Sequence, residues 1–326
     1  MPTHSPRPAA GAVTTGHLTF RPGVHVLRRD ATSLQVGLDP ARAVVLPDTP
    51  ATRELLDALR SPAPTADPRS SDPGTLDLLS RSGLLVDTDR LLPLMPLRDA
   101  AGSGAPSRTG VAAVAAEAGD ETATLLARRA ACRVQVMLSG GCEVGTVGES
   151  VTELLRLAGV PYDMRAAGPG RGNEDREVVA DDTVGLLVAV GEPDRDQLDP
   201  WLRAGTPHLL LRLVEGHAVV GPFVAPGTTA CLRCIDAHHT DTDPAWPLLV
   251  KQYAAAVVRP RDDTLPEPAD PALATLAAAW AARELVSHAE GRTPATSSTT
   301  VRLDPHLTCL ETDCWPRHPA CGCGWA

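Results

Sequence analysis

The stretch from Cys132 to Arg165, "CRVQVMLSGGCEVGTVGESVTELLRLAGVPYDMR", decides the fold. Its first seven residues predict a buried strand, "SGGCEVG" a glycine-rich turn, "TVGESVTELLRLAGV" a helix, and "PYDMR" a second strand. Strand, glycine turn, helix, strand opens a parallel α/β sheet of the nucleotide-binding type. Downstream, Ala166 to Asp182 has the composition of a loop, and "TVGLLVAVG" (Thr183 to Gly191) predicts another buried strand. A helix over "DRDQLDPWLRAG" and a strand "HLLLRLV" follow, with a hairpin through Glu215 and Gly216 into "HAVVGPFVAPG". Pro271 to Gly291 is the longest convincing helix, and "STTVRLD" is a final strand.

In a nucleotide-binding turn, glycines let backbone N–H groups approach a pyrophosphate at the helix N-terminus. Gly140, Gly141 and Gly145 are the candidates for that role, and Asp163 stands at the distance expected of a ribose-binding acid. The spacing is not G-x-G-x-x-G, and Glu143 puts a carboxylate where phosphates would sit. ATP at these four residues is one reading; a turn kept only to join strand to helix is the other.

Upstream, residues 1–20 are rich in Pro, Ala, Gly and Thr, the composition of a disordered segment. Val24–Arg29, Ser33–Leu38 and Ala43–Pro47 are short β-type segments joined by turn residues, a three-stranded meander. Thr49 and Pro50 start a helix with Leu55, Leu56 and Leu59 on one face; Asp72 and Pro73 start another that Gly83 closes. The expected organisation is therefore a disordered segment 1–20, a small α+β domain 21–97, a linker 98–130 whose later part can be helical, and an α/β domain 131–326.

With 326 residues, 43% of them hydrophobic, the chain can bury a sizeable core, but only nine are Phe, Tyr or Trp. Leu, Val and Ala must build that core. Asp and Glu outnumber Lys and Arg 40 to 30, which gives no electrostatic footprint for nucleic acid. The longest apolar run, Val184 to Val190, is too short to span a bilayer, and the first residues lack the pattern of a secretory signal. A cytoplasmic location is expected, without membrane or nucleic-acid partners. There, eight cysteines point to metal or catalysis before disulfides.

Cys231 and Cys234 form a C-x-x-C after a Pro-Gly turn, a knuckle that brings two thiolates to one tetrahedral cation. The compact second pair is Cys321 with Cys323. Together they are expected to make a four-sulfur zinc site that staples the tail to the middle of the domain, with Cys309, Cys314 and His318 as rival ligands. Cys132 reads as core. Cys142 lies at a helix N-terminus, where a thiolate is stabilised, but no base stands near it.

From Cys132 onward the chain resembles the ThiF and ubiquitin-activating family of adenylating enzymes. The resemblance rests on "HLLLRLVEGHAVVGPFVAPGTTACLRC", the Ala-rich helix ending "ELVSHAEGRTP", and the cysteine pair after "STTVRLD". The N-terminal part is similar to a PqqD-like peptide-recognition element. Their combination, with the tail "WPRHPACGC", resembles the cyclodehydratase partner proteins of thiazole/oxazole-modified microcin biosynthesis. The fold implied is a degenerate ThiF-like, Rossmann-type α/β domain with a zinc knuckle, preceded by a small α+β winged-helix PqqD-like domain.

The function implied is a non-catalytic scaffold that binds a precursor leader peptide and presents it to a YcaO-type enzyme in azoline and bacteriocin biosynthesis. A homodimer is compatible with it. An extended leader would add to the edge Ala43, Val44, Val45, Leu46, beside a helix carrying Leu76, Leu78 and Leu79. A working ATP-dependent adenylyltransferase and an orphan interaction protein of the same fold are the alternatives.

Overall fold

The described residues fall into two compact units of unequal size, one within residues 1–100 and 107–125, the other within 101–106 and 126–326. A computed structural model describes residues 17–61, 71–96, 105–141, 143–166, 182–257 and 267–323.

In the first unit, strands β2 (Val26–Arg28), β3 (Ser33–Val36) and β4 (Val44–Pro47) form the antiparallel meander in the order β2-β3-β4. Asp30 shapes the first turn by accepting from the Thr32 amide at 2.8 Å. Helix α1 (Pro50–Arg60) is capped by Thr49, whose hydroxyl accepts from the Thr52 amide at 3.2 Å. Helix α2 (Pro73–Arg81) is capped by Asp72 through the Thr75 amide at 3.0 Å. Leu55, Leu56, Leu59, Leu76 and Leu79 meet Val36, Val44 and Leu46 in one core.

Two findings depart from the sequence reading. Residues 18–20, placed in the disordered segment, form β1 (Leu18–Phe20), which pairs antiparallel with β5 (Leu85–Asp87); residues 1–16 lie outside the described residues. The stretch expected to link the domains carries helix α4 (Arg108–Ala118), beyond the short α3 (Thr88–Leu91); helix α5 (Thr122–Ala131) stands in its later part, which the sequence allows to be helical.

The second unit is built on a seven-stranded mixed sheet in the order β12-β11-β10-β9-β8-β6-β7. Strands β6 (Arg133–Ser139), β7 (Tyr162–Ala166), β8 (Thr183–Val190) and β9 (His208–Val214) run parallel. Strands β10 (His217–Val224), β11 (Thr299–Leu303) and β12 (Leu310–Cys314) continue the sheet antiparallel. Helices α6 (Glu143–Ala158) and α10 (Pro271–Ala289) cover one face, α7 (Asp199–Ala204) and α8 (Leu232–Thr242) the other. All eight residues of β8 are therefore buried, which is why it reads as an unbroken apolar run. Helix α9 (Trp246–Val257) packs on α8. Among the described residues, no helix is long and apolar enough to cross a membrane.

Candidate metal centre and adjoining cavity

Four sulfurs converge where the middle of the second unit meets its tail. A turn through Pro226 and Gly227, tied by the Thr229 hydroxyl to the Ala225 amide at 2.7 Å, delivers Cys231 to the N-cap of α8 and Cys234 to its first turn. The tail delivers Cys321 and Cys323 around Gly322, whose φ of 76° is the left-handed conformation that lets a C-x-C bite close. Sγ of Cys231 lies 3.8 Å from that of Cys234 and 3.5 Å from that of Cys321; Cys234 and Cys323 are 3.5 Å apart. All four ligand atoms fall within 4.8 Å of one another.

A tetrahedral zinc with Zn–S bonds of about 2.3 Å requires sulfurs about 3.8 Å apart, so this donor set fits the ion. Without a cation the thiols compete for protons. The hydrogen bond to Cys321 and burial push the Cys231 thiol up, while the same bond pulls Cys321 down. Cys231, Cys234, Cys321 and Cys323 would hold a cation in place of those shared protons. The rivals stand aside: Cys309 and Cys314 are exposed on or before β12 and are absent from the cluster.

His318 instead clamps the tail. Its Nε2 is 3.0 Å from Asp241 Oδ2, and its Nδ1 accepts from the Ala320 amide at 3.2 Å. His238 Nε2 bonds the Pro316 carbonyl at 2.9 Å. His238, Asp241 and His318 come close enough to hold an ion. However, an Nδ1 that accepts leaves the proton on Nε2, where a metal would have to bind, so a hydrogen-bonded clamp describes the cluster better.

Beside the sulfurs lies a cavity of about 500 Å³ between α8, α9 and the polar face of β9 to β12. Its floor is an ion-pair network absent from the sequence reading. Glu192 receives Arg195 at 2.6 Å and Arg212 at 2.8 Å, and Arg195 grips Asp236 at 2.8 and 2.9 Å. Trp246 Nε1 donates to the same Asp236 at 3.0 Å. Burial pushes the pKa of Glu192 up, but Arg212 and Arg195 outweigh it, and Glu192 ends below the usual range. Asp236 follows the same balance, with Arg195 as the main opposing partner. The signal was present in "HLLLRLV": a charge inside an otherwise apolar strand requires a buried partner.

The glycine turn sits at the C-terminal end of β6. Gly140 there has φ 130°, and a Cβ on it would meet the Val190 carbonyl oxygen at 2.7 Å, so close packing on β8 accounts for this glycine. Gly141 follows it, and Gly145 lies in α6 with open space around it. Asp163 is not brought to the turn. It is the second residue of β7, paired with Gln135 near the start of β6, and its carboxylate bonds Arg133 at 2.9 Å. Ligands of parallel sheets bind at the opposite, C-terminal end of the strands. Cys142 lies outside the described residues.

In the first unit, Val44, Leu46, Leu76 and Leu79, expected to face a peptide, are buried in the core, and Ala43 is half-buried. The reason is periodicity: alternate residues of β4 point inward, and Leu76 and Leu79 share the inner face of α2. Val45, 48% exposed, and Leu78, 40% exposed, are the outward apolar groups.

No protein-family model matches the chain, and no curated protein matches it in sequence. Solved structures do match in fold. The heterocyclase TruD shares 16% identity at a TM-score of 0.60, covering 94% of this chain and 42% of TruD. A heterocyclase in complex with substrate and cofactor gives 17% and 0.62, covering 94% of this chain and 40% of that one. The chain thus spans about two fifths of the length of these heterocyclases. MccB of E. coli, solved with MccA, gives 12% and 0.54, covering 95% of this chain and 99% of MccB. At such identities the likeness is one of fold: the mixed α/β architecture of this chain is the one found in TruD and MccB.

Proposed function

We propose that the chain is a non-catalytic scaffold of ribosomal peptide modification, binding a precursor leader by strand addition and presenting it to a YcaO-type azoline-forming enzyme. The observation that carries this reading is the edge of β4. Among the described residues it pairs only with β3, and α2 packs beside it. Its free N–H and C=O groups can hydrogen-bond an extended peptide, while the outward side chains of Val45 and Leu78 offer apolar contact. Of the expected contact residues, the strand's backbone with Val45 and Leu78 thus remains accessible, and the buried leucines drop out. Likeness to TruD, a heterocyclase, and to MccB, solved with N-formylated MccA, supports placing the chain in this chemistry.

Zinc at the four cysteines is structural in this reading, because four sulfurs close a tetrahedral site and leave no open position. The PqqD-like role of the first unit, the cytoplasmic setting and the capacity to dimerise belong to the same proposal. The test is fluorescence anisotropy of the full chain with the labelled precursor peptide encoded beside its gene. Val45→Asp, at an exposed position, should weaken binding at least about tenfold with the fold intact. Unchanged affinity moves the site elsewhere, and a locus without precursor or YcaO-type gene favours the orphan interaction protein.

An adenylyltransferase is the second reading, supported by the fold shared with MccB, which has also been solved with ATP. Saturable ATP binding by calorimetry of the zinc-loaded protein would favour it. The pairing of Asp163 with Arg133 weighs against it.

A further inference from the structure

The far edge of the large sheet plays no part in the leader reading. β12 ends the sheet, pairs with β11 alone among the described residues, and exposes all five of its side chains. In register, Glu311 lies opposite Arg302 and Asp313 opposite Thr300, and the row continues from Arg302 through Val219 to Arg212. This is the sheet face that walls the cavity. Asp313 lines the 500 Å³ cavity, Glu311 lines a hollow of about 260 Å³ beside it, and His217 and Arg302 line both.

Charge and ring chemistry select the occupant. On the cavity floor Glu192 and Asp236 are balanced by Arg195 and Arg212. On the rim, the described lining residues set Glu215, Asp304, Glu311 and Asp313 against one guanidinium, that of Arg302. Amide hydrogen bonds from Cys309 and His306 hold Asp304 ionised, down at about 2. Burial first, then the carboxylates of Glu267, Glu215 and Glu192, push the Tyr253 hydroxyl up, as a negative local potential requires. Three of the nine Phe, Tyr and Trp residues, namely Trp246, Tyr253 and Trp315, line this one cavity. Aromatic faces behind excess carboxylates suit ammonium and guanidinium groups.

We propose that β12 and the two hollows behind it form a docking edge for an extended partner segment carrying Arg or Lys at alternate positions. Such a segment adds to β12 as a further strand, so residues two apart, roughly 7 Å along it, fall opposite Glu311 and Asp313. The residue between them turns to the other face, beside Leu310 and Thr312. The competing explanation is that the carboxylates merely keep a bare edge from pairing, as charges on edge strands do. It predicts that nothing binds.

The test uses full-length, zinc-loaded protein and a blocked heptapeptide alternating arginine and valine, followed by tryptophan fluorescence and calorimetry. Two control peptides replace arginine by glutamate, or group the arginines together. The alternating arginine peptide should bind saturably, more weakly as salt rises, and at least about tenfold less tightly to Asp313→Lys or Glu311→Lys. Both residues are exposed, and unchanged circular dichroism and zinc content verify the fold of each variant. Absence of saturable binding, equal binding of either control peptide, or wild-type affinity in both lysine variants would overturn the proposal.

Discussion

The sulfur of Cys231 lies 3.5 Å from that of Cys321, 90 residues further along the chain. The same contact brings Trp315 and His318 of the tail against His239 and Asp241 of α8, so the staple also sets the cavity wall. Cys321→Ser should therefore cost more than one thiol. Zinc content should fall from about one per chain to well below it, and the thermal midpoint should drop by roughly 10 °C, as a loss of a few kcal/mol implies. Metal analysis with calorimetry checks both; full zinc retention in the variant would sink the staple.

The cavity floor makes a second test. Glu192 is 15% exposed and serves two arginines that are 12% and 9% exposed. Glu192→Gln leaves Arg212 and Arg195 with too little negative charge in a desolvated site, a loss of about 3–5 kcal/mol. Arg233→Ala, which removes a 40% exposed guanidinium from Asp196 and Asp199 at the surface, should cost less than about 1 kcal/mol. Urea denaturation of the two variants measures the contrast, and equal effects would mean the network is not the strut its geometry indicates.

How much of this was legible in the sequence depends on how local the physics is. The cysteine pairs were, because two thiolates only two or three residues apart can reach one cation. The meander and the α1 and α2 caps were too, since Thr49 and Asp72 act three residues away. Non-local pairing hid the rest. The sequence of β12, "LETDC", alternates charged with uncharged residues but carries no apolar face, because every side chain is exposed, and Arg195 finds Asp236 41 residues away. The leader groove shows the same limit: alternation marks Val44 and Val45 as opposite faces, but which face is inward depends on where Leu76 and Leu79 pack.

His208 is fully buried; its Nδ1 lies 3.0 Å from the Thr206 carbonyl, and burial depresses its pKa to about 4. In the unfolded chain it titrates near 6.5. Between those values the unfolded state binds the proton and the folded state does not, so stability falls as pH drops from about 6.5 to 4. The full loss is on the order of 3 kcal/mol from this group, with His288 shifted in the same direction. Denaturation midpoints measured across that range should show the slope. His208→Phe, which keeps a ring against Trp201, should flatten it; an unchanged slope would assign it to other groups.

Gly140 and Gly145 separate a turn kept for packing from one kept for phosphate. At Gly140, φ is 130° and the Val190 carbonyl oxygen lies 2.7 Å from where a Cβ would stand, which leaves no room for a side chain. Gly140→Ala should therefore cost at least about 2 kcal/mol. At Gly145, within α6, a Cβ meets nothing within 4 Å, and alanine removes the entropy cost of a helical glycine. Gly145→Ala should stabilise by about 0.5–1 kcal/mol. Paired thermal scans and ATP titrations decide between the roles. A stabilised Gly145→Ala with no nucleotide affinity to lose fits a scaffold, whereas ATP binding in the parent chain that this substitution abolishes would restore the turn to catalysis.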